Sequence, residues 1–309
     1  MAFPVRVHAS LGLARAVLPG GSLGAVAVVG GRVYPLGVVG YDRVVDVLRE
    51  VEPPSFGALA GRAARLHRGY PLGSLYLAAP VEGPRKLLGL GLNYAGHARE
   101  TGREPPGWPN VFSLTWNSVV GPLDPLIVAS PGLGVDVEVE LAVVVGPGGR
   151  GLTPGEALEA VWGYTVADDV SARREQFGLG VSQFWRAKSW DTFTPLGPLI
   201  VPRTSLDPAR GLRLWSRISG RPLQDSSTSD MIHSVPEVVS YISESATLEA
   251  GDTILTGTPQ GVGHARRPPV YLEPGDTVEA CIEGIGCLHN PVVADPHLEP
   301  STLGAGRRG

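Results

Sequence analysis

Two glutamates, Glu138 and Glu140, interrupt an apolar stretch that reads GVDVEVELAVVVG over residues 134–146. Alternation with a period of two predicts a strand with both carboxylates on one face. Residues 141–145 then run apolar without a break, as in a strand covered on both sides. Neighbouring carboxylates in such surroundings repel, and each costs several kcal/mol to desolvate unless a cation neutralises it. A group of hard oxygen donors selects magnesium, manganese or calcium. An edge strand with a solvated glutamate face is the reading this stretch alone leaves open.

Other residues extend that chemistry. A predicted strand, VWGYTVA at 161–167, ends in Asp168 and Asp169, where a carboxylate is placed to complete a cation site or to cap a helix. Arg173 and Gln176 follow within two turns and suit an anionic substrate, the arginine through its bidentate fork. His97 and Glu100, three apart after the apolar KLLGLGL, share a helical face. A carboxylate that orients an imidazole is a general-base arrangement. The segment TGREPPGWPN that follows is polar and rich in Pro and Gly, and is predicted to be a mobile lid. Only two of the 26 basic residues are lysines, Lys86 and Lys188. Lysine is a compact donor with a tunable pKa, unlike arginine, so a retained lysine is a candidate for a special role, Lys188 more than Lys86. Thr258 closes a strand before a glycine-rich loop, TPQGVG, whose amides suit a carboxylate. No GK[ST] follows it, so it is not a nucleotide loop.

The elements that position these residues are many and short. The chain has 309 residues, 43% of them hydrophobic, with 42 Gly and 29 Pro that punctuate apolar runs. Residues 1–82 are predicted to form a small separate unit with a Gly-Gly hairpin and two helices, one over 42–51 and one over 56–67. A catalytic domain is expected over 83–297 and a frayed tail over 298–309. Thr153 with Glu156 is a capping box for a short helix. The pattern is mainly β with some α. Net charge is −4 and no basic patch with interleaved aromatics occurs, so nucleic acid is excluded as a partner. No stretch of about 18 apolar residues is present, and no signal peptide is expected. Cys281 and Cys287 are read as two reduced core thiols, with a disulfide between them as the alternative; this is a cytoplasmic profile.

Seven segments in order, GLNYAGHARE, VEVELAVVVG, GYTVADDVSAR, KSWDTFTPLGP, QDSSTSDMIHSV, LEAGDTILTGTPQGVG and LEPGDTVEACIEGIG, resemble the fumarylacetoacetate hydrolase family over residues 84–294. The resemblance implies a mixed β-sandwich roll with a small N-terminal accessory domain, usually a homodimer. It implies a Mg²⁺ or Mn²⁺ site at Glu138, Glu140 and Asp169, where Ca²⁺ is also acceptable. His97 and Glu100 match the family's lid dyad and Lys188 its active-site lysine, while Arg173, Gln176 and Thr258 match substrate-contacting positions. Asn93 and Tyr94, within the first motif, are read as further substrate-binding candidates. Leu114 stands where many members carry a lysine, and Arg174 where an acid is frequent. The implied chemistry is metal stabilisation of the enolate of a 2-oxo acid. Hydrolysis of an acylpyruvate-like C–C bond leads, with isomerase and decarboxylase routes and a metal-stabilised binding protein as alternatives.

Overall fold

The computed structural model describes residues 5–178 and 180–297; the tail expected over 298–309 lies outside them. Two sheets dominate. The larger runs, in spatial order, through Tyr70–Pro71, Arg32–Pro35, Leu23–Val29, Leu11–Val17, Thr194–Pro202, Val161–Asp168, Val139–Val145, Thr253–Leu255, Leu87–Gly91 and Asn110–Leu114. The smaller contains Arg6–Val7, Gly286–Ala294, Thr277–Ile282, Arg213–Ile218 and Arg221–Ser227, with Leu126–Val128 alongside Gly286–Ala294. The β-rich roll expected from the sequence is the one that forms.

The strand Val139–Val145 lies at the centre, and all seven of its residues are buried. Leu141, Val143 and Val145 pack with Leu214, Ala280 and Leu288 of the second sheet and with Val238 and Ile242 of the helix Val235–Ser245. Ala142 and Val144 face the other way, against Trp162, Leu13 and Phe56. This two-sided cover is why the strand reads as an unbroken apolar run.

Phe56 belongs to the helix Phe56–Leu66, which with Val44–Glu50 caps that second face. Both helices fall where the apolar spacing places them. Described residues of this N-terminal part are in contact with the rest. Leu13 pairs with Ile200 in the larger sheet, and Phe56 meets Trp162 edge-on at 5.2 Å. The Gly30–Gly31 hairpin and the Thr153 capping box form as read from sequence.

One expectation is corrected. Cys281 and Cys287 are joined in a disulfide. They face each other across the antiparallel pair Thr277–Ile282 and Gly286–Ala294, a juxtaposition that a separation of six residues does not reveal.

Candidate active site

The carboxylate strand is not continuous with the residues before it. Val135–Asp136 pairs with Ser171–Ala172, and the main strand starts only at Val139. Between them the ladder is replaced by side chains. Glu138 N donates to Asp168 Oδ1 at 2.8 Å, and Val139 N donates to Gln224 Oε1 at 3.1 Å. Asp169 N closes the kink on Glu138 O at 3.0 Å. Glu138 thus sits in a break, where the alternation predicted a strand position. The break still brings Glu138, Glu140 and Asp169 together, with ligand oxygens within 4.8 Å of one another and all three side chains buried.

Two buried cations face this group. Lys188 Nζ donates to Glu138 Oε2 at 2.7 Å and also to Asp169 Oδ2, and lies 5.2 Å from the centre of the Phe112 ring. Arg173 bonds Glu138 through Nη2 and Gln176 Oε1 through Nη1 at 2.7 Å, and its Nε meets Asp136 Oδ2 at 3.0 Å. Asp136 is wholly buried and also accepts from the backbone of Gly263 at 2.8 Å and His264 at 2.9 Å. A Cβ on Gly263 would lie 1.9 Å from Val270 O and 2.6 Å from Asp136 Oδ1, so only glycine permits this approach.

The electrostatics divide the carboxyls. Burial alone would raise Glu138, but Arg173 and Lys188 outweigh it and hold the carboxyl down at about 2. Burial, with the Asp169 and Glu138 charges, pushes Glu140 well above the usual range. Burial lifts Asp169 to about 6 despite Lys188, and lifts Asp168 to about 8. Five buried carboxyls, Asp136, Glu138, Glu140, Asp168 and Asp169, therefore share two buried cations. Asp169 Oδ1 has no hydrogen-bond partner although it is buried. A set of hard oxygen donors, short of positive charge and with two oxygens orphaned, Asp169 Oδ1 and Asp168 Oδ2, fits a divalent cation. Glu140 is aimed by Gly257 N, which donates to its Oε2 at 2.6 Å.

A cavity of about 520 Å³ opens above this floor. It is lined by Glu138, Glu140, Arg173, Gln176, Lys188 and Thr258, and on a second side by His97 and Glu100. The last two lie on the short helix Ala95–Glu100, with His97 Nδ1 3.5 Å from Glu100 Oε2. Glu100 Oε1 also accepts from Gly261 N at 2.9 Å. Burial opposes ionisation of Glu100, but the hydrogen bonds from His97 and Gly261 outweigh it and lower its pKa.

Not every candidate reaches the cavity. Asn93 is turned inward, where Nδ2 donates to Thr256 O at 2.8 Å and Oδ1 accepts from His233 N at 2.8 Å. Tyr94 is fully buried in the core between the sheets. Neither is among the residues that line the cavity. Thr258 does line it, but its hydroxyl donates to Val139 O at 3.0 Å and accepts from Gln224 Nε2 at 2.7 Å. Leu114 is packed in the core, and Arg174 is exposed. The segment read as a lid is tethered through Pro106 O to His233 Nε2 at 3.1 Å, with Trp108 stacked on Tyr241.

Asp136 and Gln224 were missed by sequence reasoning, as were the cavity-lining Phe112, His264, Arg103 and Arg267. Asp136 carried a signal, since it extends the alternation of Glu138 and Glu140 by one step. The others come from distant strands and loops and had no local signal.

Residues 86–293 match the family described as fumarylacetoacetate (FAA) hydrolase, C-terminal. A protein of Bos taurus named oxaloacetate tautomerase FAHD2A, mitochondrial, is 42% identical over 223 residues, 72% of this chain and 71% of that one. Among solved structures, fumarylacetoacetate hydrolase from psychrophilic Exiguobacterium antarcticum matches with a TM-score of 0.78 at 36% identity, covering 93% of this chain and 100% of the other. A 5-carboxymethyl-2-hydroxymuconate delta-isomerase from Mycobacterium smegmatis matches with a TM-score of 0.72 at 34% identity, covering 92% and 99%.

Proposed function

The chain belongs to the fumarylacetoacetate hydrolase family, and we propose that it catalyses keto–enol tautomerisation of a 2-oxo dicarboxylic acid, with oxaloacetate the first compound to test. The observation that carries this reading is that the His97–Glu100 pair lines one cavity together with Glu138 and Glu140, two members of the carboxylate triad. A proton-transfer pair beside an electrophilic centre is what enol chemistry needs. The bovine relative's name supports the choice of substrate.

Glu138, Glu140 and Asp169 would hold a divalent cation, which when bound supplies Lewis-acid stabilisation of negative charge on the substrate's keto oxygen. Lys188 adds fixed positive charge at the floor, where developing negative charge is stabilised. Arg173, braced by Asp136, keeps Glu138 ionised. Glu100, held as an anion, receives His97 Nδ1, which leaves Nε2 to exchange a proton with C3 of the substrate. The two tautomers differ by one proton, taken from the enol oxygen and gained at C3, so a base that also returns the proton suffices.

The test is loss of the enol absorbance of freshly dissolved oxaloacetate. The expected result is acceleration by enzyme with Mg²⁺, abolished by a chelator and by Glu138→Gln or Asp169→Asn. No acceleration under any metal would sink the reading. A second reading, hydrolysis of an acylpyruvate-like C–C bond, is favoured by the same dyad, because an imidazole on a carboxylate also activates water. Proton NMR with acetylpyruvate separates the two, since release of pyruvate and acetate would establish the hydrolase. A metal-binding protein without turnover would give neither signal.

A further inference from the structure

The mouth of the cavity differs from its floor. Arg103 and Arg267 line it, both are exposed, and neither has a carboxylate partner among the described residues. Arg103 belongs to the segment after the Ala95–Glu100 helix, and its guanidinium carbon lies 5.6 Å from the centre of the Phe177 ring. Phe177 stacks on His264 at 5.8 Å, and His264 Nδ1 is 2.8 Å from Tyr271 Oη. His264 is in turn anchored by its backbone to Asp136 at the floor. Three separate segments of chain thus meet in one stack across the mouth.

Stacking engages the face of a guanidinium and leaves its in-plane N–H donors free. Those of Arg103 make no hydrogen bond to the described residues, and Arg267 gives only one, to the carbonyl of Arg266 at 3.0 Å. Part of the cavity lining is apolar, with Phe112 stacked on Phe184 at 5.0 Å. A ligand suited to this cavity has an anionic head for the floor, a short carbon chain for the wall and a second anionic end for the mouth.

We infer that Arg103, positioned by the Phe177–His264 stack, and Arg267 form a subsite for the second carboxylate of the substrate, and so select 2-oxo dicarboxylates over 2-oxo monocarboxylates. This rests on the reading of the floor as a site for a 2-oxo acid. Free arginine donors form charge-assisted bidentate bonds with a carboxylate. The neutral end of a monocarboxylate would leave the same donors to water.

The test is calorimetric binding, at saturating Mg²⁺, of 2-oxoglutarate and of 2-oxobutyrate, which is the same chain without the distal carboxylate. Wild type is expected to prefer the dicarboxylate by roughly ten- to hundredfold. Arg103→Met and Arg267→Met each reduce that ratio, and the double variant brings it close to one. Phe177→Ala, which leaves both arginines in place, reduces it by less. Unchanged thermal midpoints for the arginine variants show that the fold is intact. If both acids bind and the double variant keeps the wild-type ratio, the subsite assignment is wrong while the 2-oxo acid reading stands. If wild type binds Mg²⁺ but neither acid, both are overturned.

Discussion

The two lysines of this chain sit in ionic clusters of the same plan and different consequence. Lys86 Nζ lies 2.9 Å from Asp252 and 3.3 Å from Glu249; Lys188 is held between Glu138 and Asp169. Around Lys86 every carboxylate oxygen has a donor or solvent. Asp252 accepts from the backbone of Lys86 at 3.0 Å and of Glu249 at 2.9 Å, and Glu249 is half-buried, its side chain 45% accessible, and also meets Arg85. That cluster ties a strand start to a turn. Around Lys188 donors run short, and Asp169 Oδ1 is left without a partner. Paired charges alone do not mark an active site. A buried deficit of donors points to one, because it is a cost that a retained proton or a bound cation relieves.

The largest test of this contrast is to remove each lysine. Lys188→Met should lower kcat in the oxaloacetate assay by roughly 10²–10³-fold, the scale of losing one preorganised electrostatic donor. Lys86→Met should leave kcat within about twofold of wild type. Equal effects would break the comparison. Next is Asp136→Asn, which leaves buried Arg173 with Glu138 as its one carboxylate partner. The expected loss is about 3–5 kcal/mol in denaturant unfolding, the range for breaking a buried pair. Mg²⁺ binding should weaken as Arg173 turns fully onto Glu138, and calorimetry reads this directly.

Acid–base linkage sharpens the contrast further. Asp169 and Asp168 are raised from 3.8 to about 6 and about 8, so in the metal-free protein the folded chain holds protons that the unfolded chain has released. Stability in chelator should therefore fall as pH rises from about 4 to about 8, by on the order of a few kcal/mol. Glu138 works in the opposite sense, since its lowered pKa stabilises the fold above the unfolded value of 4.5 and that gain is lost as pH falls toward about 2. Mg²⁺ should flatten the fall between pH 4 and 8, because a bound cation favours the ionised carboxylates. Thermal midpoints across pH with and without Mg²⁺ check this, and a metal-free midpoint that climbs with pH would contradict it. The smallest effect is the stability cost of Lys86→Met. Its side chain is 27% exposed, and the loss should be at most about 1 kcal/mol in the same denaturant experiment.

Much of the site was legible because its signals are local. The spacing of His97 and Glu100 is a helical period, and the Ala95–Glu100 helix places both on the cavity. Glu138, Glu140 and the end of the 161–168 strand were readable as carboxylates in apolar surroundings, and the scarcity of lysine pointed to Lys188. Other placements were not legible, for definable reasons. Asn93 and Tyr94 share a segment with His97, yet their side chains turn inward, and proximity in sequence does not fix that direction. The cysteine pairing and the N-terminal strand that joins the larger sheet both depend on cross-strand neighbours, which no local pattern encodes.

By itself the sequence determined which groups are present and the local periods that orient them: the carboxylates of an apolar strand, the histidine and glutamate of one helical turn, and the helix capped at Thr153. The tertiary structure alone decided which charges meet and which are left over. Asp136 reaches Arg173 37 residues away and Gly263 127 residues away, and the mouth arginines come from segments on opposite sides of the central strand in sequence. Side-chain periodicity acts over a few residues, whereas the balance of donors and acceptors in a buried site is set by every chain segment that folding brings to it.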